Sequence, residues 1–434
     1  MKRPLLSLLA LGLATGLSAA YAQTQLSFWH AFTDEPRSSW IEDRAAEWSE
    51  QNPDFVMNVE SKGSYPETLQ AVILGARQGD TPNVVQVYEI GSQLALDAGI
   101  FTPVGEVEGD FDFSDYIEPV LNYYTIGGQV NSVPFNSSSP ILYTNKTLMK
   151  QAGLDPENPP ATYGEMIDAC KKVKASDVKA DCFGVSLNGW FFEQWLAEQG
   201  ADLLNEGNGR DGRATEVNYE SDAFKNIANF FKTMNDAGYY TYTGALEDWD
   251  GSDAIFTNQQ SVFHITSTAD LGNITAAAEE NGFELGAGLL PMADDAERNG
   301  VVIGGASLWL LKDKPAEEQQ AALDFVLYMT NTENMVSWHK LTGYYPVRNS
   351  SVEALRDEGW FEKDPNYSVA FDQLLDTKVN QATAGALSGN MQEVRTITEE
   401  TMQRIFQGGA VDAELSRAAE QAAARLAEYN SNFQ

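Results

Sequence analysis

The chain has 434 residues and a formal net charge of −35, because 63 acidic residues outnumber 28 basic ones. This charge argues against nucleic acid and anionic membrane surfaces as partners, and an anionic ligand would need local cations and oriented N–H groups. The chain is also longer than one hydrophobic core usually serves, so its length predicts two lobes.

The first 22 residues are typical of a secretory signal peptide. Lys2 and Arg3 precede an apolar stretch at 5–17, and the small residues at 20–22 predict cleavage after Ala22. The apolar stretch is shorter than the ~20 residues that a membrane-spanning helix requires. We therefore expect export to a periplasmic location.

Strands and helices alternate in the first part of the mature chain. Apolar residues recur at strand or helix spacing, which predicts strands at 25–29, 55–60 and 83–88 and helices around 41–48 and 67–77. This β-α-β-α alternation is typical of an α/β lobe with a largely parallel sheet.

A second α/β series follows. Its predicted elements are a helix at 146–152, a helix at 163–173, a strand near 183–187 and a helix near 192–199. Residues 205–218 are rich in glycine and charge and predict an exposed loop. Two later segments, 315–328 and 413–429, have the composition and period of helices.

Cys170 and Cys182 are the only cysteines of the sequence. Export to an oxidising compartment permits a disulfide between them, whereas two buried thiols are equally compatible with the sequence. The sequence leaves both alternatives open.

Three strand-like segments end in small polar residues, at 134–139, 265–268 and 303–307. In an α/β fold such strand ends present hydroxyls and backbone N–H groups at the edge where ligands bind. Three of them meeting at one place predict a cleft that holds a small molecule.

The sequence carries no convincing catalytic or metal signature. Residues 207–212 fit G-x-G-x-x-G, but polar flanks replace the strand and helix of a dinucleotide site. His30, His264 and His339 lie far apart, and the acidic residues at 247–253 lack the spacing of a calcium loop. We therefore expect no enzyme activity, no cofactor and no metal.

Several segments of the sequence resemble those of a known protein family. Pro-Phe-Asn-Ser-Ser-Ser-Pro-Ile-Leu-Tyr-Thr-Asn-Lys at 134–146 is similar to the extracellular solute-binding proteins, family 1, of ABC importers. Within that family the likeness is greatest to the branch that binds sn-glycerol-3-phosphate. The further matching phrases are 28–30, 86–89, 303–309, 338–344 and 389–395.

The resemblance implies the two-lobed α/β periplasmic-binding-protein fold of type II, with the ligand between lobes joined by crossing hinge segments. The crossings would lie near 133–139, 264–268 and 330–335. The implied first lobe comprises 23–134 plus 268–332, and the implied second lobe comprises 135–267 plus 333–434.

By the same resemblance, eight residues contact the ligand. They are Tyr65, Glu89, Ser138, Trp190, Ser267, Gly305, Tyr344 and Arg395. The guanidinium of Arg395 suits a phosphate, to which the two serine hydroxyls, the phenol of Tyr344 and the Gly305 N–H add donors. Glu89 would repel a phosphate, so we expect it at the opposite end, with Tyr65 beside it, accepting hydrogen bonds from glycerol hydroxyls. Trp190 would lie against the carbon chain.

The implied function is that of a monomeric receptor that captures sn-glycerol-3-phosphate and delivers it to the transmembrane permease of an ABC importer. The segments 205–216 and 245–253 depart from the family pattern, which leaves room for glycerophosphodiesters. A sugar receptor, using Trp190, Tyr65 and Tyr344 as stacking platforms, is the alternative within this class. A secreted phosphodiesterase using Glu89 and the carboxylates near 247–253 is the alternative from another class.

Overall fold

The computed structural model describes residues 23–107 and 111–433, and the predicted signal peptide lies outside them. Thirteen strands occur in the described residues. They are β1 (Thr24–His30), β2 (Phe55–Ser61), β3 (Val84–Tyr88), β4 (Phe101–Thr102), β5 (Thr125–Ile126), β6 (Gln129–Val130), β7 (Val133–Ser138), β8 (Pro140–Asn145), β9 (Asp181–Val185), β10 (Tyr240–Thr241), β11 (Ser261–Ser267), β12 (Leu285–Gly288) and β13 (Gly304–Leu311).

The strands form two main sheets and one small hairpin. The first sheet has the order β2-β1-β3-β13-β4, and β7 also pairs with β13. Here β1 runs parallel to β2 and β3, whereas β13 is antiparallel to its three partners. The second sheet has the order β10-β9-β11-β8-β12, and β5 pairs only with β6. Two separate sheets give the chain two centres around which helices pack.

The helices cover these sheets. They are α1 (Glu35–Gln51), α2 (Tyr65–Gln78), α3 (Ser92–Ala98), α4 (Glu118–Tyr124), α5 (Lys146–Gln151), α6 (Tyr163–Ala175), α7 (Gly189–Glu198), α8 (Asn205–Asn208), α9 (Asp222–Asp236), α10 (Trp249–Thr257), α11 (Leu271–Asn281), α12 (Ala316–Met329), α13 (Thr332–Thr342), α14 (Asn349–Asp357), α15 (Trp360–Lys363), α16 (Pro365–Leu375), α17 (Gln381–Ala384), α18 (Met391–Phe406) and α19 (Val411–Asn430). No helix in the described ranges is long and apolar enough to cross a membrane.

The elements predicted from periodicity are present, with shifted ends. In α1 the predicted periodic residues Ile41, Ala45 and Trp48 are the buried ones, because positions three and four apart share one helix face. Its N-cap, Asp34, accepts a hydrogen bond from the Arg37 backbone N–H, which fixes where the helix begins.

The prediction of an exposed loop at 205–218 is wrong in part. Asn208 and Val217 are buried, and the Arg210 guanidinium donates hydrogen bonds to the carbonyls of Tyr123, Ala384 and Gly385. A composition rich in glycine and charge predicted solvent exposure, but here Arg210 instead satisfies backbone carbonyls around α4 and α17.

The two sheets are connected most directly at Ser139, between β7 and β8. The backbone N–H of Thr268 donates to the Ser139 carbonyl at 2.9 Å, so the end of β11 lies against this crossing. Strand β12, at 285–288, pairs with β8 of the second sheet. We therefore propose to assign β12 to the second lobe and to draw the next crossing between β12 and β13.

Cys170 and Cys182 form a disulfide that joins α6 to β9, with 5.3 Å between their Cα atoms. The sequence alone could not decide between a disulfide and two free thiols, because the bond can form only where α6 packs on β9.

Replacing both cysteines, as in Cys170→Ala with Cys182→Ala, should lower the free energy of unfolding by about 2–4 kcal/mol, because the crosslink no longer restricts the unfolded chain. Urea denaturation of the oxidised protein and of the double variant measures this difference. Wild-type protein treated with a reductant serves as the control and should approach the variant. Coincident transitions for all three samples would contradict a stabilising role for the disulfide.

Candidate functional site

A cavity of about 260 Å³ lies where strand ends of the two sheets meet. Its wall includes the ends of β3, β7 and β13 from the first sheet and of β11 from the second. All eight residues predicted to contact a ligand line this one cavity. The structure therefore brings together side chains that are up to 330 positions apart in the chain, between Tyr65 and Arg395, while their contact with a ligand stays a prediction.

Arg395 lies in the cavity wall between two buried carboxylates. Its Nε donates to Glu193 Oε1 at 2.6 Å, and its Nη2 donates to Glu193 Oε2 at 3.0 Å and to Glu89 Oε1 at 2.7 Å. The Arg395 side chain is 9% exposed and both carboxylate side chains are 6% exposed. Burial alone would lower the pKa of Arg395, but Glu193 and Glu89 raise it well above its ordinary value. Arg395 is therefore a permanently charged group that is already paired.

The expectation that Glu89 lies at the opposite end of the site from Arg395 is wrong. The expectation considered only repulsion between Glu89 and a phosphate. It ignored the cost of burying a guanidinium, which requires adjacent carboxylates. Burial raises the pKa of Glu89, and the neighbouring Arg395 opposes that change.

Tyr65 and Tyr344 form a second polar group in the cavity. Their hydroxyl oxygens are 3.5 Å apart, and Asn136 Nδ2 donates to the Tyr65 hydroxyl at 2.8 Å. Gln86 Nε2 in turn donates to Asn136 Oδ1 at 2.7 Å. Burial raises the pKa of both tyrosines, so both phenols stay protonated and can donate a hydrogen bond to a ligand oxygen.

The three segments contribute small residues to the wall, and two of them end strands as predicted; the segment 303–307 instead begins β13, which reaches the same edge because it runs antiparallel to its neighbours. Ser138 ends β7, Ser267 ends β11, and Gly305 lies in β13 with φ of +100°. A Cβ atom at Gly305 would lie 1.8 Å from the Asn136 carbonyl oxygen, so only glycine fits there. The Ser267 hydroxyl already accepts a hydrogen bond from the Ala269 N–H at 3.1 Å, which leaves its proton directed elsewhere.

Trp190 forms an aromatic part of the wall, beside Trp249, with 5.9 Å between ring centroids. It lies at the beginning of α7, where the Asn188 side chain accepts its backbone N–H at 2.8 Å. Glu247 lines the same rim, and Gln392 contacts it at 3.4 Å. The acidic segment 247–253 is thus mainly the beginning of α10, where Asp248 accepts the Gly251 N–H at 3.0 Å.

Sequence reasoning missed several residues of the wall. Those that matter chemically are Arg37, Tyr88, Asn188, Asp270 and Gln392, with Glu193 behind Arg395, whereas Glu247 and Trp249 belong to the segment 245–253 that the sequence had already marked. Tyr88 lies within the segment 86–89, which the sequence analysis had matched to the family. Asn188 could have been recognised from the sequence as a helix N-cap just before Trp190. The others depend on long-range packing and carry no local signal.

Among the described residues, no group of three or more His, Cys, Asp or Glu side chains is arranged to hold a metal ion. His264 has a carboxylate partner: its Nε2 lies 2.7 Å from Asp253 Oδ1, and its Nδ1 donates to the Gly184 carbonyl at 3.1 Å. This pair connects β11 to α10 and is not in the cavity wall.

The model of the bacterial extracellular solute-binding protein family matches residues 43–369. The sn-glycerol-3-phosphate-binding periplasmic protein UgpB of Salmonella typhimurium strain LT2 is 33% identical over 414 residues, which cover 92% of each chain. The protein of the same name from Escherichia coli O6:K15:H31 is 33% identical over 93% of this chain and 92% of its own. The chain belongs to this extracellular solute-binding family. Its place is therefore outside the cytoplasm, whereas cleavage after Ala22 remains a prediction.

Solved structures confirm the predicted fold. UgpB of Mycobacterium tuberculosis, in complex with glycerophosphocholine, has a TM-score of 0.77 and 21% identity, covering 94% of this chain and 99% of its own. The cyclic alpha-maltosyl-1,6-maltose binding protein of Arthrobacter globiformis has the same TM-score and identity, covering 93% and 99%. At such identity these structures establish the two-lobed α/β fold of periplasmic binding proteins, and the relatives are binding proteins, not enzymes.

The pH dependence of stability of this solute-binding protein can be tested at Glu399. Glu399 accepts the Gly189 N–H at 2.7 Å, and burial raises its pKa from 4.5 to about 8. Because the carboxyl of Glu399 has a higher pKa in the folded than in the unfolded state, its protonation stabilises the folded state. This contribution to the free energy of unfolding is complete below pH 4.5 and is lost as the pH rises toward 8. Glu399→Gln mimics the protonated form and should remove the loss.

Urea denaturation at pH 5 and pH 8 measures the effect. Relative to Glu399→Gln, the wild type should lose about 3–4 kcal/mol of unfolding free energy between these pH values, because they lie three pH units apart and each unit contributes at most about 1.4 kcal/mol. Parallel pH profiles of the two proteins would mean that Glu399 is not protonated in the folded state near neutral pH.

Proposed function

We propose that this protein captures sn-glycerol-3-phosphate or a glycerophosphodiester outside the cytoplasm, closes around it and delivers it to the transmembrane permease of an ABC importer. The observation that carries the proposal is that the eight predicted contact residues line one cavity between the lobes. Identity of 33% to sn-glycerol-3-phosphate-binding proteins over 92% of the chain supports the ligand class. We propose that it acts as a monomer.

The cavity offers two kinds of hydrogen-bonding surface to such a ligand. Glu89 can accept hydrogen bonds from the glycerol hydroxyls through the oxygen that does not hold Arg395, and the remaining N–H groups of Arg395 can donate to them. The hydroxyls of Ser138, Ser267 and Tyr344 can donate to a phosphate. Glycerol hydroxyls and phosphate oxygens would thus be bound by different groups.

The rim supports a substituent on the phosphate. Trp190 and Trp249 present aromatic surface next to the carboxylate of Glu247, an arrangement that attracts a cationic group. Glycerophosphocholine carries such a group, and it is the ligand of the Mycobacterium tuberculosis protein named above. A diester also has one negative charge fewer on phosphate than glycerol-3-phosphate, which suits a chain of net charge −35.

A sugar receptor is the second candidate. Tyr65 and Tyr88 stack at 5.8 Å with 6° between their ring planes, and Trp190 adds a third aromatic surface in the wall. Sugars bind well against such faces, and several proteins of this fold bind oligosaccharides.

Calorimetric titration of the purified mature protein with sn-glycerol-3-phosphate, glycerophosphocholine and maltose distinguishes these candidates. We expect saturable binding of at least one phosphate ligand with micromolar affinity, about −8 kcal/mol, and no binding of maltose. Binding of maltose alone would replace the proposed function by that of a sugar receptor. Release of choline from glycerophosphocholine, assayed with and without a chelator, would instead indicate a phosphodiesterase.

The role of Glu89 can be tested with Glu89→Gln. Loss of a charged acceptor should weaken binding of the phosphate ligand about 5- to 30-fold, as expected for a hydrogen bond from a hydroxyl to a carboxylate. The matched control is Glu193→Gln, because Glu193 also neutralises Arg395 but does not line the cavity. The control should have the smaller effect. Tighter binding by Glu89→Gln would mean that Glu89 repels a neighbouring phosphate.

A further inference from the structure

Binding of an anionic ligand in this cavity requires a cation whose N–H groups are not already hydrogen-bonded. The inference that follows rests on the proposed function, because it concerns how the phosphate of that ligand is bound. A guanidinium has five N–H donors. Arg395 directs three hydrogen bonds to the carboxyl groups of Glu193 and Glu89, both of them buried. A phosphate placed on Arg395 would therefore meet two carboxylates at close range, which low solvent access makes more repulsive.

Arg37 is the other cation in the cavity wall. It lies in the first turn of α1, where its Nε donates to Asp34 Oδ1 at 2.7 Å and its guanidinium lies over the Phe32 ring at 4.9 Å. Within 23–107 and 111–433, neither terminal nitrogen of Arg37 has a hydrogen-bond partner. Four of its five N–H donors thus remain for a ligand, and its side chain is 25% exposed.

Besides Asp34, the surroundings of Arg37 in the cavity include two phenols that can donate hydrogen bonds. The charge of Arg37 acts on the phenols of Tyr344 and Tyr65, which line the same cavity, and Asn136 holds the Tyr65 hydroxyl in place. Asp270 is a carboxylate of the same wall, and burial raises its pKa to about 7. The raised pKa reduces the negative charge that Asp270 carries near neutral pH, so it opposes an anion less than an ordinary aspartate would.

We propose that the guanidinium of Arg37, together with the phenols of Tyr344 and Tyr65, binds the phosphate of the ligand. The glycerol hydroxyls then lie toward Glu89 and Arg395. Arg37 becomes the residue that selects phosphate-bearing ligands over neutral sugars, because a neutral ligand gains little from a forked cation.

Calorimetric titration of Arg37→Gln with sn-glycerol-3-phosphate and with glycerophosphocholine tests this assignment. We expect the affinity for whichever phosphate ligand the wild type binds to fall about 10- to 100-fold, as for the loss of a charge-assisted hydrogen bond. The matched control is Arg44→Gln. Arg44 lies two turns further along α1, is 22% exposed, and pairs with Glu47 outside the cavity. It should keep the wild-type affinity.

Two further measurements keep the test independent of folding. Arg37→Lys retains the charge but loses the fork, and should bind with intermediate affinity. The dissociation constant of the wild type should also rise more steeply with ionic strength than that of Arg37→Gln. Wild-type affinity in both Arg37 variants would overturn the assignment while leaving the proposed function intact. Failure of the wild type to bind either phosphate ligand would overturn both.

Discussion

The arrangement of the cleft depends on one buried cation shared by two carboxylates. Arg395 belongs to α18 and Glu193 to α7, and these helices pack on each other and on α9 beside the second sheet. Glu89 directly follows β3 of the first sheet. The guanidinium therefore joins the lobes across the cavity. A buried charge that loses one partner costs about 3–5 kcal/mol, so this contact constrains how the lobes approach each other.

This ion cluster also gives closure a physical basis. Separation of the lobes would leave Arg395 with Glu193 on its own side and would exchange its hydrogen bond to Glu89 for water. A ligand that touches Glu89 on one side and Ser267 on the other binds both lobes at once. It therefore binds the closed form more tightly than the open form and shifts the population toward it.

Charge distinguishes this cleft from a neutral sugar site. The wall contains the carboxylates of Glu89, Glu247 and Asp270 against the guanidinium groups of Arg37 and Arg395. With Arg395 already neutralised, recognition of an anion depends on Arg37 and on neutral donors such as Tyr344. The aromatic rim formed by Trp190 and Trp249, next to Glu247, favours positive charge. The two ends of the cavity thus suit a zwitterionic diester.

Much of this architecture follows from the sequence. Periodicity predicted the β-α-β-α start, and small polar residues at strand ends marked Ser138 and Ser267. Gly305 was marked in the same way but lies at the beginning of β13, which is antiparallel and so presents its first residues at the same edge. Contacts between distant side chains could not be predicted in this way. The pairing of Arg395 with Glu89 follows from the cost of burying charge, and the place of Arg37 follows from the packing of α1.

A crystal structure of the protein with bound glycerophosphocholine tests the account most directly, because it locates the phosphorus relative to both guanidinium groups. The account predicts phosphate oxygens within hydrogen-bonding distance of the terminal nitrogens of Arg37, glycerol hydroxyls at Glu89, and an intact pair of Arg395 and Glu193. A phosphate bound to Arg395, with Glu89 displaced from it, would contradict the account.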